Sequence, residues 1–269
     1  MIIDSHEHLM LPIKNQIKKL DESGIDKAIL FCTAPHPEKA SSFSELINEM
    51  NTLYKILDGN NTKEANIQRL KINIEEVVQA IQQYPDRFYG FGAVPLGLAL
   101  EDTKKWIAKN IVDNGLKGIG EFTPGSDEEI CKLETVFQVL EQFPGLPVWV
   151  HTFHPVSLKG IRILMNLTRK YSKTPVIYGH MGGYYWMDVI EFVRITSNAF
   201  IDLSGTFSSL AVRMAILEVP EKCLFSSDAP YGEPVLNKQL IEFVCPSKSI
   251  ASMVFGENIL RLISAQNDK

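Results

Sequence analysis

Short, almost uninterrupted apolar segments recur eight times along the chain, separated by longer amphipathic stretches. They are Ile2–Asp4, Ala28–Cys32, Phe88–Val94, Leu116–Glu121, Val148–His151, Val176–Gly179, Phe200–Leu203 and Cys223–Ser226. A strand that is apolar on both sides has to be covered on both sides, as in a parallel sheet flanked by helices. Eight such strands alternating with helices predict an α/β fold, a slightly distorted (β/α)8 TIM barrel, with a doubly wound open sheet as the alternative. A length of 269 residues suits one barrel, so residues 1–269 read as a single domain. With 45% hydrophobic and 22% charged residues, a full core is within reach.

The stretches between the strands carry helix punctuation. Ser126 followed by Glu129 reads as a capping box before an apolar face of Ile130, Leu133, Phe137 and Leu140. Asn73 with Glu76 reads as a similar start ahead of Val77, Val78 and Ile81. Gly24 and Gly115 stand where a helix C-terminus favours a left-handed residue. Pro147 and Pro175 each precede a strand by one residue, where no ladder hydrogen bond is lost. One interval is much longer than the rest. Residues 34–85, after the second strand, predict a helical insertion: a helix near Ser44–Leu57, a loop at Asp58–Asn61 and a helix up to Gln83. In a barrel it leaves the C-terminal face, so it is either a wall or lid of a substrate pocket or extra packing on the rim.

Several function classes lose support. The net charge of −5 does not favour nucleic acid as a partner. The four cysteines, Cys32, Cys131, Cys223 and Cys245, form no C-x-x-C pair. There is no Gly-rich phosphate loop and no Gly-x-Ser-x-Gly elbow, and Gly90-x-Gly92 lacks the third glycine of a dinucleotide site. The N-terminus reads as a strand and not as a signal peptide, and no run is long enough to span a bilayer. The expectation is a cytoplasmic protein with a small-molecule substrate, no membrane partner, and scope for homo-oligomers.

The residues that carry chemistry cluster at strand ends. His6 and His8 form H-x-H at the end of the first strand, with backbones roughly 7 Å apart on one face. Glu121, His151 and His180 end the fourth, fifth and sixth strands, and Asp228 follows the eighth. In a barrel these six side chains surround one mouth, a set suited to a divalent metal. Nitrogen and oxygen donors without thiolate favour zinc, with manganese, nickel or iron also possible. His154 and His36 read as loop histidines near the mouth. Tyr184, Tyr185 and Trp186 read either as an aromatic wall or as the packed start of a helix.

The chain resembles the amidohydrolase superfamily, specifically its amidohydrolase-related (amidohydrolase 2) family. The matching pieces are Asp4-Ser5-His6-Glu7-His8, Pro147-Val148-Trp149-Val150-His151, Tyr178-Gly179-His180-Met181-Gly182-Gly183 and Leu224-Phe225-Ser226-Ser227-Asp228-Ala229-Pro230. Pro85-Asp86-Arg87-Phe88, Gly90-Phe91-Gly92-Ala93-Val94-Pro95 and the ending Phe255-Gly256-Glu257-Asn258-Ile259-Leu260-Arg261-Leu262 look similar too. The resemblance implies that His6, His8 and Asp228 hold a first metal ion. It implies that His151 and His180 hold a second, or that one of them binds the first metal while the other polarises substrate. Glu121 stands where several members carry a bridging carbamylated lysine, as in the deoxyribonuclease-like branch; Lys117 lies at the wrong end of that strand.

The chemistry implied is metal-activated water, whose pKa falls from about 15.7 to about 7. Asp228 then accepts the water proton and returns it to the leaving group. The expected activity is hydrolysis of a small amide, ester or lactone. The alternative within the family is decarboxylation of a small aromatic or enoic acid, followed by a deoxyribonuclease and, last, a non-catalytic binding protein.

Overall fold

The computed structural model describes residues 1–57 and 62–264. Eight parallel strands form in chain order: β1 (Ile3–His8), β2 (Lys27–Phe31), β3 (Phe88–Gly90), β4 (Ile119–Phe122), β5 (Val148–His151), β6 (Val176–Gly179), β7 (Ala199–Asp202) and β8 (Cys223–Leu224). Regular pairing gives two arcs, β1-β2-β3 and β4-β5-β6-β7-β8. Backbone hydrogen bonds join both seams. Gly92 N donates to Gly118 O and Gly120 N to Gly92 O, each at 3.0 Å. Across the other seam, Ser5 N donates to Phe225 O (2.9 Å), Asp228 N to His6 O (2.8 Å) and His8 N to Ala229 O (2.7 Å). Asp4 reinforces that seam: its Oδ1 accepts from Ser227 N at 2.9 Å. The architecture is the expected TIM barrel, with irregular pairing where the two arcs meet.

Two buried layers result. Ile3, Ile29, Phe31, Phe91, Trp149, Ile177, Phe200 and Leu224 fill the barrel, and Ile259, Leu262 and Ile263 of the helix Asn258–Ser264 join them. A larger layer lies between strands and helices and includes Ala28, Leu30, Ile119, Phe122, Val148 and Val150. This double coverage is why the strands read as continuous apolar runs.

Helix α1 (Ile13–Ser23) ends on Gly24, which adopts φ 63° as expected of a left-handed cap. In the insertion, α2 (Phe43–Leu57) matches the expected helix, whereas the loop foreseen at Asp58–Asn61 lies outside the described residues. Helix α3 runs unbroken over Lys63–Gln83 from a Thr62 cap whose side chain accepts from Ala65 N. Asn73 is therefore no cap; it sits buried in mid-helix. The Ser126 box is also altered. Ser126 makes no side-chain cap bond, and Glu129 reaches back to Gly125 N at 3.0 Å instead. The apolar face of Ile130, Leu133, Phe137 and Leu140 is buried as expected. No described helix is long and apolar enough to cross a membrane.

Candidate metal centre

Strict alternation along β1 would place its histidines outside the barrel. Ile3 points inward, so Ser5 and Glu7 should follow it and His6 and His8 should oppose it. A β-bulge reverses this. Asp4 pairs with Ala28 and Glu7 with Leu30, so Ser5 and His6 on β1 stand against the single Ile29 on β2. Ala28 and Leu30 belong to the outer layer, so Asp4 and Glu7 face outward with them. His8 pairs with Phe31, an inner residue, and the His6 ring lies 4.5 Å from Phe31 and 5.1 Å from Trp149. The extra residue thus turns both histidines into the barrel.

β4 repeats the device. Ile119 pairs with Val148 and Phe122 with Val150, so Gly120 and Glu121 stand against the single Trp149. Both pairs lie in the outer layer, and the bulge frees Glu121 to point inward. Gly120 makes this possible. It adopts φ +126°, and a Cβ there would meet Trp149 O at 2.4 Å.

The six expected residues meet at the C-terminal end of the barrel. Glu121 is at their centre. Its Oε2 lies 3.6 Å from His6 Nε2 and 3.9 Å from His8 Nε2. Its Oε1 lies 3.3 Å from His151 Nδ1 and 3.2 Å from His180 Nε2. Asp228 Oδ1 closes the first group, 3.3 Å from His8 Nε2 and 3.7 Å from His6 Nε2. Asp228 (φ 60°) and His180 (φ 58°) both occupy the left-handed region, uncommon for side chains that carry a Cβ.

A seventh residue, Asp202 at the end of β7, organises the others. Its Oδ2 accepts from His6 Nδ1 (3.1 Å), from the His180 backbone N (3.1 Å) and from Ser204 Oγ (2.9 Å). Since Ser204 Oγ spends its proton on Asp202, it accepts from His180 Nδ1 at 3.0 Å. His151 Nε2 donates to His154 O at 3.1 Å. Each of these three rings is thereby assigned a tautomer by an outward partner, and each presents its other nitrogen lone pair inward.

Those inward nitrogens face carboxylate oxygens. Acceptor opposite acceptor at 3.2–3.7 Å is repulsive unless a proton or a cation lies between them. His6 Nε2 and Asp228 Oδ1 are also buried without any hydrogen-bond partner. Burial opposes protonation of His180, yet Glu121, Asp228 and Asp202 outweigh it and push its pKa up to about 9. His6 rises well above the usual imidazole range against the same burial, through Glu121, Asp202 and Asp228. Burial likewise opposes ionisation of Glu121, but His6, His151 and His180 hold it well below the usual carboxylate range. The cluster attracts positive charge, and its nitrogen and oxygen donors fit a divalent cation.

The centre opens into a cavity of about 860 Å³ lined by His8, Glu121, His151, His180 and Asp228. Met50, Leu53, Tyr54 and Ile56 of α2, with Arg69, Leu70 and Asn73 of α3, form part of its wall. The insertion thus lines the cavity, while Leu70, Ile74 and Val77 of α3 also pack into the outer layer. His154 lines the cavity but supplies its carbonyl, not its ring, to His151. His36 is held by Glu38 at 2.9 Å, away from the centre. Tyr185 and Trp186 pack against the core, while Tyr184 is exposed beside Phe153 and Phe207. Asp202 was legible by the same strand-end rule that singled out the others, as the carboxylate closing Phe200-Ile201-Asp202. Arg69 carried no sequence signal.

Fold and site together define a TIM-barrel enzyme built around a divalent metal centre. The chain belongs to the amidohydrolase family: the family model described as Amidohydrolase matches residues 57–264. Among curated protein sequences none matches significantly. Solved structures share the fold over nearly the whole chain. A 5-carboxyvanillate decarboxylase from Sphingomonas paucimobilis has 17% identity and a TM-score of 0.69, with 98% of each chain covered. A dihydroxybenzoic acid decarboxylase from a Polaromonas species, with bound manganese and the inhibitor 2-nitroresorcinol, has 19% identity and a TM-score of 0.62, covering 99% of this chain and 97% of that one. An uncharacterized TIM-barrel protein from Bordetella bronchiseptica has 10% identity and a TM-score of 0.72, covering 98% and 99%.

Proposed function

We propose that the chain is a metal-dependent hydrolase of a small amide, ester or lactone. The observation that carries this reading is the division of the Glu121 carboxylate, Oε2 towards His6 and His8 and Oε1 towards His151 and His180. Glu121 would serve two cations, one that His6, His8 and Asp228 would also hold and a second that His151 and His180 would hold. Divalent cations in such a centre supply Lewis-acid polarisation of the substrate and make water acidic enough to react at neutral pH. Zinc is the first choice for this donor set, with manganese, nickel or iron as the alternatives.

The chain's own residues supply the remainder. Asp228 is partly open to the cavity, its side chain 15% exposed, and takes a proton from the attacking water. Returning that proton to the departing nitrogen or oxygen balances the hydrolysis. Asp202 and Ser204 keep the rings of His6 and His180 in one orientation throughout. Met50, Leu53, Tyr54 and Ile56 of α2 supply mostly apolar surface to the cavity wall.

A second reading, decarboxylation of a small aromatic or enoic acid, draws support from the decarboxylases that share this fold. In that case His180 protonates the carbon that loses the carboxylate. Metal analysis of the purified protein, with an ester, amide and lactone panel and a carbon dioxide assay, separates the two. Two ions per chain with ester or amide cleavage is the expected result. One ion with carbon dioxide release and no cleavage overturns the hydrolase reading.

A further inference from the structure

Arg69 is the one lysine or arginine among the described residues lining the cavity. Its Nη2 donates to Asn66 on the same helix, and its Nε is buried with no hydrogen-bond partner. Among the described residues no carboxylate pairs with it. One turn further along α3, Asn73 lines the same cavity; it is only 6% exposed, and its Nδ2 is likewise buried without an acceptor. Residues four apart share a helix face, so both amino groups belong to one patch of wall. Buried donors left without acceptors are costly, and a positive charge left without a partner more so. Burial already lowers the Arg69 pKa, a sign of incomplete compensation.

From this geometry we propose that Arg69 and Asn73 form an anion subsite, and that the substrate carries a carboxylate remote from the bond that is cleaved. This deepens the hydrolase reading and rests on it for the word substrate. With metal removed, Glu121 and Asp228 leave their part of the cavity negative, so an anion is drawn to Arg69 and not to them. Met50, Leu53 and Ile56 line the same cavity and offer an apolar wall for the body of the ligand. A single guanidinium matches a single carboxylate in charge and planar shape. The carboxylate takes no part in bond making: water adds across the scissile C–N or C–O bond, and the anion only holds the far end.

The test is equilibrium binding to the full chain after metal removal, so that no ligand can be captured by a cation. Benzoate and the neutral benzamide, similar in shape, are titrated by calorimetry against wild type, Arg69→Gln, Arg69→Lys and Asn73→Ala. Wild type is expected to prefer benzoate. Arg69→Gln should weaken benzoate about tenfold to a hundredfold and leave benzamide unchanged. Arg69→Lys should keep part of the preference, and Asn73→Ala should lose a smaller part. Circular dichroism checks that each variant is folded. Equal binding of both ligands by wild type, no binding of either, or an undiminished benzoate preference in folded Arg69→Gln overturns the subsite. An absence of hydrolysis in the substrate panel would not touch this result, so the two ideas fail separately.

Discussion

Replacing Asp202 by asparagine tests whether the histidines are set by a carboxylate behind them. Asp202 Oδ2 receives three donors and Oδ1 receives a fourth, Ser204 N at 2.7 Å. An amide has one acceptor oxygen, so in either orientation an NH2 group confronts at least one donor. The milder orientation keeps the oxygen on the three-donor side and sets NH2 against Ser204 N. Even then the hydrogen bond from His6 Nδ1 loses its charge assistance, and the imidazole becomes free to shift its proton to Nε2. A proton there removes the lone pair aimed at Glu121 and Asp228. Losing one charge-assisted hydrogen bond costs about 1.5–3 kcal/mol. Changes to groups that orient a metal-binding histidine cost 10–100-fold in affinity, about 1.4–2.8 kcal/mol, which agrees. Competition with a chromogenic chelator is therefore expected to show a tenfold to hundredfold weaker metal site in Asp202→Asn. Metal affinity within twofold of wild type, in a variant that folds normally, would refute the orienting role and leave Asp202 as a mere filler of the barrel end.

Two further outcomes follow from the same geometry. Gly205 has φ +61°, and a Cβ there would sit 2.7 Å from His180 Nδ1; Gly205→Ala should lose about 1–2 kcal/mol in denaturant melts from the left-handed backbone alone, with metal affinity falling as His180 is displaced, and an unchanged melt together with unchanged affinity would contradict this placement. Chelation should lower the melting temperature, because a cation held at 100 times its Kd adds about 2.7 kcal/mol, roughly 5–10 °C for a chain of this size; a melting curve indifferent to chelator and to added zinc or manganese would remove the case for a metal centre.

The barrel was legible because its physics is local and repeated. Double burial forces long apolar runs, and the runs around Val148, Val176 and Phe200 announce themselves without any tertiary information. The strand-end residues were legible for a related reason, since a polar group after such a run has only the mouth to go to. Asn73 misled because a short polar residue followed by Glu76 imitates a helix start, while the true start at Thr62 lies in a less apolar stretch. The burial of Asn73 comes from tertiary packing against the cavity, which no local pattern reports. Asp202 also stands at a strand end. Its partners, His6 and His180, are brought to it by closure of the barrel.

The two bulges were not legible at all, and they decide whether the centre exists. Residue types alone cannot aim a side chain on a strand; parity does, and a shift of one residue sends every later side chain to the other face. With β1 in regular alternation from Ile3, the same H-x-H would face the helices, and Glu7 would turn towards the barrel. With β4 regular from Ile119, Glu121 would leave the barrel and Phe122 would enter it. The inner layer would keep Ile3, Phe31 and Trp149 in either case, and the outer layer would lose Phe122 in the second. A barrel can therefore be nearly intact and its centre absent. The extra residue in β1 and the extra residue in β4, the latter admitted by Gly120, encode the site separately from the fold.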